Sequence, residues 1–132
     1  MTQRSKFVAL VVALLVVAGC STPPRATPTV VQTPEAHTYA YYLTGTAGGA
    51  DVTYNTGSGT SQASDIALPL QNKSGTYGIQ FTEADAPSFL YISAQNTGED
   101  GELKCRIQMD DVVLAENTSS GAYAIVTCQA SK

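Results

Sequence analysis

Residues 101–129 read GELKCRIQMDDVVLAENTSSGAYAIVTCQ, and this stretch decides the fold. Leu103, Cys105, Ile107 and Met109 share one parity, while Lys104, Arg106, Gln108 and Asp110 share the other. Apolar residues on one side of a two-residue period are what a strand with one buried and one wet face requires. Asp110-Asp111 lies between two apolar runs and predicts a tight hairpin turn. Residues 112–116 return as a second strand, Asn117-Thr118-Ser119-Ser120-Gly121 predicts another turn, and residues 122–128 form a third strand. Ala122, Ala124, Val126 and Cys128 fall on one parity, so Cys105 and Cys128 are expected to face one core from this three-stranded unit and to be bridged. Two buried free thiols are the alternative. A zinc site would need further ligands, and no His lies near.

Working outward, the front of the chain carries an address. MTQRSKFVALVVALLVVAGC places Arg4 and Lys6 before an unbroken apolar run, residues 7–18. That run of about a dozen residues is short of the roughly 20 that a spanning helix needs, which predicts a signal peptide over residues 1–19. Val17-Ala18-Gly19-Cys20 resembles the bacterial lipobox: aliphatic, small, small, Cys. The resemblance implies a diacylglyceryl thioether on Cys20, cleavage before it, and a mature protein held to the bilayer by acyl chains, each buried methylene contributing ~0.8 kcal/mol. An uncleaved signal anchor with an incidental cysteine is the alternative.

Losing Arg4 and Lys6 leaves 5 basic residues against 11 acidic ones, a mature net charge of −6. Such an acidic chain argues against nucleic-acid binding, which rests on phosphate neutralisation, and against adhesion to anionic headgroups. The lipid must therefore do the anchoring. With one of the 3 cysteines acylated, the remaining pair suits an exported, oxidising compartment. Residues 21–34, STPPRATPTVVQTP, hold four of the 6 prolines, and residues 20–37 are expected to form a semi-extended tether reaching at most about 40 Å. The domain proper, residues 38–132, suffices for one modest core.

Within it, residues 38–45 (TYAYYLTG) predict a strand whose tyrosines either pack a sandwich edge or form a ligand platform. Ala47-Gly48-Gly49 turns into a partner strand over residues 50–55. Residues 56–61 are too rich in glycine to be other than a loop, and they spell no phosphate-binding pattern. Ile66, Leu68 and Leu70 alternate with Asp65, Ala67 and Pro69, predicting a strand that lies at an edge or stops at Pro69. Residues 76–81 and 88–95 predict two more strands. No window shows a sustained helical period. Seven or eight short strands at regular spacing predict an all-β fold, a small antiparallel, Ig-like β-sandwich.

A family resemblance runs through these strands. Tyr42-Leu43-Thr44-Gly45-Thr46-Ala47, Ala50-Asp51-Val52-Thr53-Tyr54, Leu68-Pro69, Ser93-Ala94-Gln95-Asn96, Cys105-Arg106-Ile107, Ala115-Glu116-Asn117-Thr118, Gly121-Ala122-Tyr123-Ala124 and Cys128 occur in this order. The series resembles the MmpS family of mycobacterial and related actinobacterial proteins. It implies a small β-sandwich outside the plasma membrane, bridged between Cys105 and Cys128, that serves as an accessory to large RND-type transporters exporting lipids or siderophores. Where family members usually carry a membrane-spanning helix, this chain carries a lipobox. Free-standing envelope binding modules and structural or antigenic surface lipoproteins are the competing functional classes.

Catalysis finds little footing. The one histidine, His37, closes the tether, so no Ser-His-Asp or Cys-His arrangement is expected inside the domain. The acidic groups Glu83/Asp85, Glu99/Asp100/Glu102 and Asp110/Asp111 sit in turn-like segments with no apolar pocket to raise a carboxyl pKa. Glu99-Asp100-Gly101-Glu102 clusters oxygens without the spacing of a calcium loop. Asn72-Lys73-Ser74 and Asn117-Thr118-Ser119 match a glycosylation sequon that a bacterial lipoprotein leaves unused. No enzyme activity, cofactor or metal is expected. The surface candidates are Lys104, Arg106 and Gln108, flanked by Tyr123: a basic spot on an acidic protein that suits a negatively charged partner or cargo. The alternative is that Lys104 and Arg106 merely offset Glu102 and Glu116.

Overall fold

The computed structural model describes residues 35–132; the expected signal peptide, the lipobox-like motif with Cys20 and most of the expected tether lie outside the described residues. Eight strands follow one another: β1 (Thr38–Gly45), β2 (Ala50–Thr56), β3 (Gly59–Ile66), β4 (Ile79–Thr82), β5 (Phe89–Asn96), β6 (Glu102–Met109), β7 (Val112–Ser120) and β8 (Ile125–Ser131). They form two antiparallel sheets packed face to face, ordered β4-β1-β6-β7 and β3-β2-β5-β8. The described residues form a four-on-four β-sandwich.

The core follows from the alternation. Leu103, Cys105 and Ile107 are fully buried on β6, Leu90, Ile92 and Ala94 on β5, and Tyr41 and Leu43 on β1. The tyrosine question divides by parity. Tyr39 and Tyr41 are core, whereas Tyr42 turns to the outer face. The Tyr41 ring crosses between the layers, meeting Phe81 edge-on at 5.1 Å, and its hydroxyl accepts the Tyr91 amide at 3.3 Å. Burial pushes the Tyr41 phenol above its usual pKa.

Cys105 and Cys128 are bridged, with Cα atoms 6.0 Å apart. The three-stranded unit expected around them does not exist, however. β7 pairs with β6, but β8 crosses to the other sheet and pairs with β5, Cys128 standing opposite Ile92. The disulfide therefore joins the two sheets through the core.

Five boundaries also differ from the sequence reading, among them the last strand, which begins at Ile125 and not Ala122 and runs on to Ser131. β7 runs on through Asn117, Thr118 and Ser119 where a turn was expected, because β6 offers ladder partners back to Glu102, opposite Ser120. The loop over residues 56–61 shrinks to a turn at Gly57-Ser58, and polar residues 59–66 form β3 along the edge of β2. Pairing with a neighbour outweighs weak intrinsic propensity in both cases. Residues 67–70 are not a strand. β3 ends at Asp65, which has a positive φ of 50°, and Ile66; the chain then crosses to the other sheet, where the Leu70 amide donates to Leu43 O at 2.9 Å. β4 begins three residues later than expected, after Gly78.

The two flanks of the sandwich are unlike. At the β7/β8 flank the Asn117 side-chain amide donates to Thr127 O at 3.2 Å, tying the sheets together. At the β3/β4 flank no hydrogen bond joins the two edge strands among the described residues.

Candidate functional site

The outer face of β6 presents Lys104, Arg106 and Gln108 in a row, each half-buried. Register fixes their neighbours. Lys104 lies between Thr44 and Thr118, Arg106 between Tyr42 and Glu116, and Gln108 between Ala40 and Val113. Lys104 Nζ pairs with Glu116 Oε1 at 3.0 Å, a partly exposed ion pair worth ~0–1 kcal/mol. Arg106 pairs with no acid among the described residues. Its guanidinium carbon stands 4.9 Å from the centre of the Tyr42 ring, a cation–π contact, and its Nε is shielded from solvent without a hydrogen-bond partner.

The Tyr42 ring is held from its other neighbour as well. Tyr77 packs 5.1 Å away at a 30° tilt. Gly78 lies so close that a Cβ there would stand 2.7 Å from two Tyr42 ring carbons. An aromatic side chain covering a cross-strand glycine is a known device for protecting a sheet where a glycine leaves it bare. Tyr42, Thr44, Tyr77, Lys104 and Arg106 enclose a cleft of about 160 Å³. The guanidinium supplies planar donors and one tyrosine face orients it, while the Lys104 ammonium at the rim is already paired with Glu116.

Of the four residues expected at this surface, Lys104 and Arg106 meet at the cleft and Gln108 continues the row. Tyr123 is not among the residues that line the cleft. It is exposed on the β7–β8 turn with a φ of 51°, its amide donates to Gly98 O, and its carbonyl accepts from Gln95 Nε2. Those contacts belong to β5 and the loop after it. Tyr42 and Tyr77 were missed as site residues. The parity of Tyr42 opposite to Tyr41 was a signal for it, but Tyr77 precedes β4 with no periodic cue.

His37 is engaged at the start of the domain. Its Nδ1 lies 2.8 Å from Asp110 Oδ2, while Asp110 Oδ1 accepts the Thr38 amide at 2.9 Å and the Asp110 amide donates to Thr38 O. The hydrogen bond to Asp110 raises the imidazole pKa. The Thr38 amide, then His37, lower that of the Asp110 carboxyl. This constellation pins the first strand to the β6–β7 hairpin. It holds no nucleophile. Among the acidic groups, Glu83 pairs with Lys132 at 3.0 Å and Asp85 accepts from Thr82 Oγ1 at 2.7 Å. Among the described residues, no cluster of three or more His, Cys, Asp or Glu side chains stands in a position to hold a metal ion. No protein-family model matches the chain, and no curated protein matches it.

Proposed function

We propose that the chain is a lipid-anchored extracytoplasmic lipoprotein whose β-sandwich assists an RND-type exporter of lipids or siderophores, as in the MmpS proteins that its sequence resembles. The observation that carries this reading is the Cys105–Cys128 bridge. It stands between the two positions where the resemblance places the family's cysteine pair, inside a sandwich of the expected kind. A bridged, acidic domain suits a docking role outside the cytoplasm. In this role Cys20 carries the acyl chains, the tether spans from the bilayer, and the Arg106–Tyr42 cleft with Lys104 meets an acidic group on the transporter or the cargo.

The test is a double variant, Lys104→Ser with Arg106→Ser, in the otherwise intact lipoprotein. It is expected to retain the disulfide and its thermal transition while losing co-purification with the transporter or export of the cargo. A variant that folds and keeps both refutes this face as the contact. Cys20→Ala serves as the companion: it is expected to abolish acyl labelling and release the protein from the membrane fraction, or leave it as an uncleaved precursor.

A further inference from the structure

The β3/β4 flank holds a second site, one that the accessory reading does not use. Its origin lies in the sequence of β3. The residues that β3 turns toward the other sheet are Ser61 and Ala63, opposite Tyr54 and Val52 on β2. Two small side chains at the edge of a sandwich cannot fill the space between layers that pack about 10 Å apart. β4 answers with Ile79 and Phe81, but no backbone bond draws the two edges together. The result is a slot of about 590 Å³, within the range of about 300–1,000 Å³ usual for small-molecule sites.

At one end of the slot the crossover brings buried Leu70 against β1. Its inner wall is apolar: Tyr54, Ala63, Ile66, Leu70 and Ile79. All but Leu70 are only half-buried, although each packs against the hydrophobic core. The mouth, by contrast, is a polar loop of fixed shape. Asn72 Oδ1 accepts the amides of Ser74 and Thr76, and the Asn72 amide donates to Thr76 O. This loop holds Lys73 at the rim. Lys73 is the only charged residue lining the slot, and it makes no ion pair among the described residues.

An apolar wall between two sheet edges, rimmed by a single unpaired ammonium, is complementary to a hydrocarbon chain that carries one negative charge. We propose that the slot binds a long-chain carboxylate, its hydrocarbon chain between the sheets and its head on Lys73. The single cation matches a monoanion, whereas a phosphate monoester would leave charge unmatched. The inference does not depend on a transporter.

The experiment uses the full chain reconstituted in phosphatidylcholine vesicles, labelled with palmitic acid carrying a diazirine in its chain and mapped by mass spectrometry. Label is expected on peptides containing Ala63, Ile66 or Ile79. Unlabelled palmitate is expected to compete about tenfold better than hexadecanol, the difference one charge-assisted contact makes. Ala63→Phe fills the slot and is expected to abolish the label with the disulfide intact. Lys73→Glu, on an exposed loop that leaves the core untouched, is expected to lower palmitate labelling about tenfold or more while sparing that by the diazirine alcohol. Label elsewhere on the domain, equal competition by the alcohol, or labelling that survives Lys73→Glu overturns the proposal. Loss of exporter co-purification in the Lys104/Arg106 variant has no bearing on these readouts, so the two readings fail separately.

Discussion

Asn96 is the only buried polar or charged residue in the domain and offers the sharpest test of how its loops are held, at 1% exposure. Its side-chain amide donates to Asp100 O at 2.6 Å and Gly121 O at 2.9 Å, and its Oδ1 accepts the Gly98 amide at 2.9 Å. One side chain thus joins the end of β5, the loop into β6 and the turn between β7 and β8. In Asn96→Ala, Gly121 O keeps a bond from the Ala124 amide, but Asp100 O and the Gly98 amide lose the partner that served them. Two groups left unsatisfied at about 1–3 kcal/mol each put the loss at about 2–6 kcal/mol, a large part of a small domain's total of about 5–15 kcal/mol. Asn96→Asp sharpens the test. The new carboxylate would still accept from Gly98, but its second oxygen would face two carbonyl oxygens. Its pKa must therefore rise on folding, so the folded state binds the extra proton and stability must fall as pH rises above the ordinary carboxyl range. Urea unfolding of both variants with the disulfide intact reads the effect as a shift in midpoint at constant slope. A loss below about 1 kcal/mol for Asn96→Ala, or an Asn96→Asp curve parallel to wild type from acid to neutral pH, refutes the reasoning.

Cys105→Ala opens a bridge spanning 23 residues, and the chain-entropy relation puts the loss at about 3 kcal/mol; two titratable thiols in the native protein would refute the bridge itself. Gly78→Ala asks a residue with a φ of 77° to carry a Cβ 2.7 Å from the Tyr42 ring and 2.9 Å from Tyr41 O, which is expected to cost about 1–3 kcal/mol in urea unfolding and to disturb the Tyr42–Arg106 stack. The His37–Asp110 pair gives a signed pH dependence. Because the His37 pKa is raised above its usual 6.5, its contribution is full below that value and disappears as pH rises through the folded pKa; because the Asp110 pKa is lowered from 3.8, its contribution is present above that value and is lost as pH falls. The Tm difference between wild type and His37→Ala should accordingly be present near pH 5 and vanish near pH 9, and a difference independent of pH would exclude the pair as its source.

The inward parity of Cys105 and Ile107 on β6, of Leu90 and Ile92 on β5, and the Asp110-Asp111 turn were legible from sequence because a two-residue period is a local property of the chain. The same holds for the all-β class, since the strand signals at regular spacing have no helical competitor. Sheet membership is different. Val126 and Cys128 point inward whichever sheet they join, so parity could not reveal that β8 leaves β6 and β7 to pair with β5. Propensity likewise misjudged residues 59–66 and 117–120, whose glycines, serines and threonines are strand only because a paired neighbour waits alongside. Asn96 looked like one more loop polar residue, and its role arises from carbonyls that are 4 and 25 positions away in sequence. The basic row of β6 was visible as charge, but which cation is neutralised and which is stacked depended on Glu116 and Tyr42 arriving from the strands on either side. The slot at the β3/β4 flank was beyond the sequence altogether. A void is defined by what two separate edges fail to fill, and only the tertiary structure sets those edges face to face.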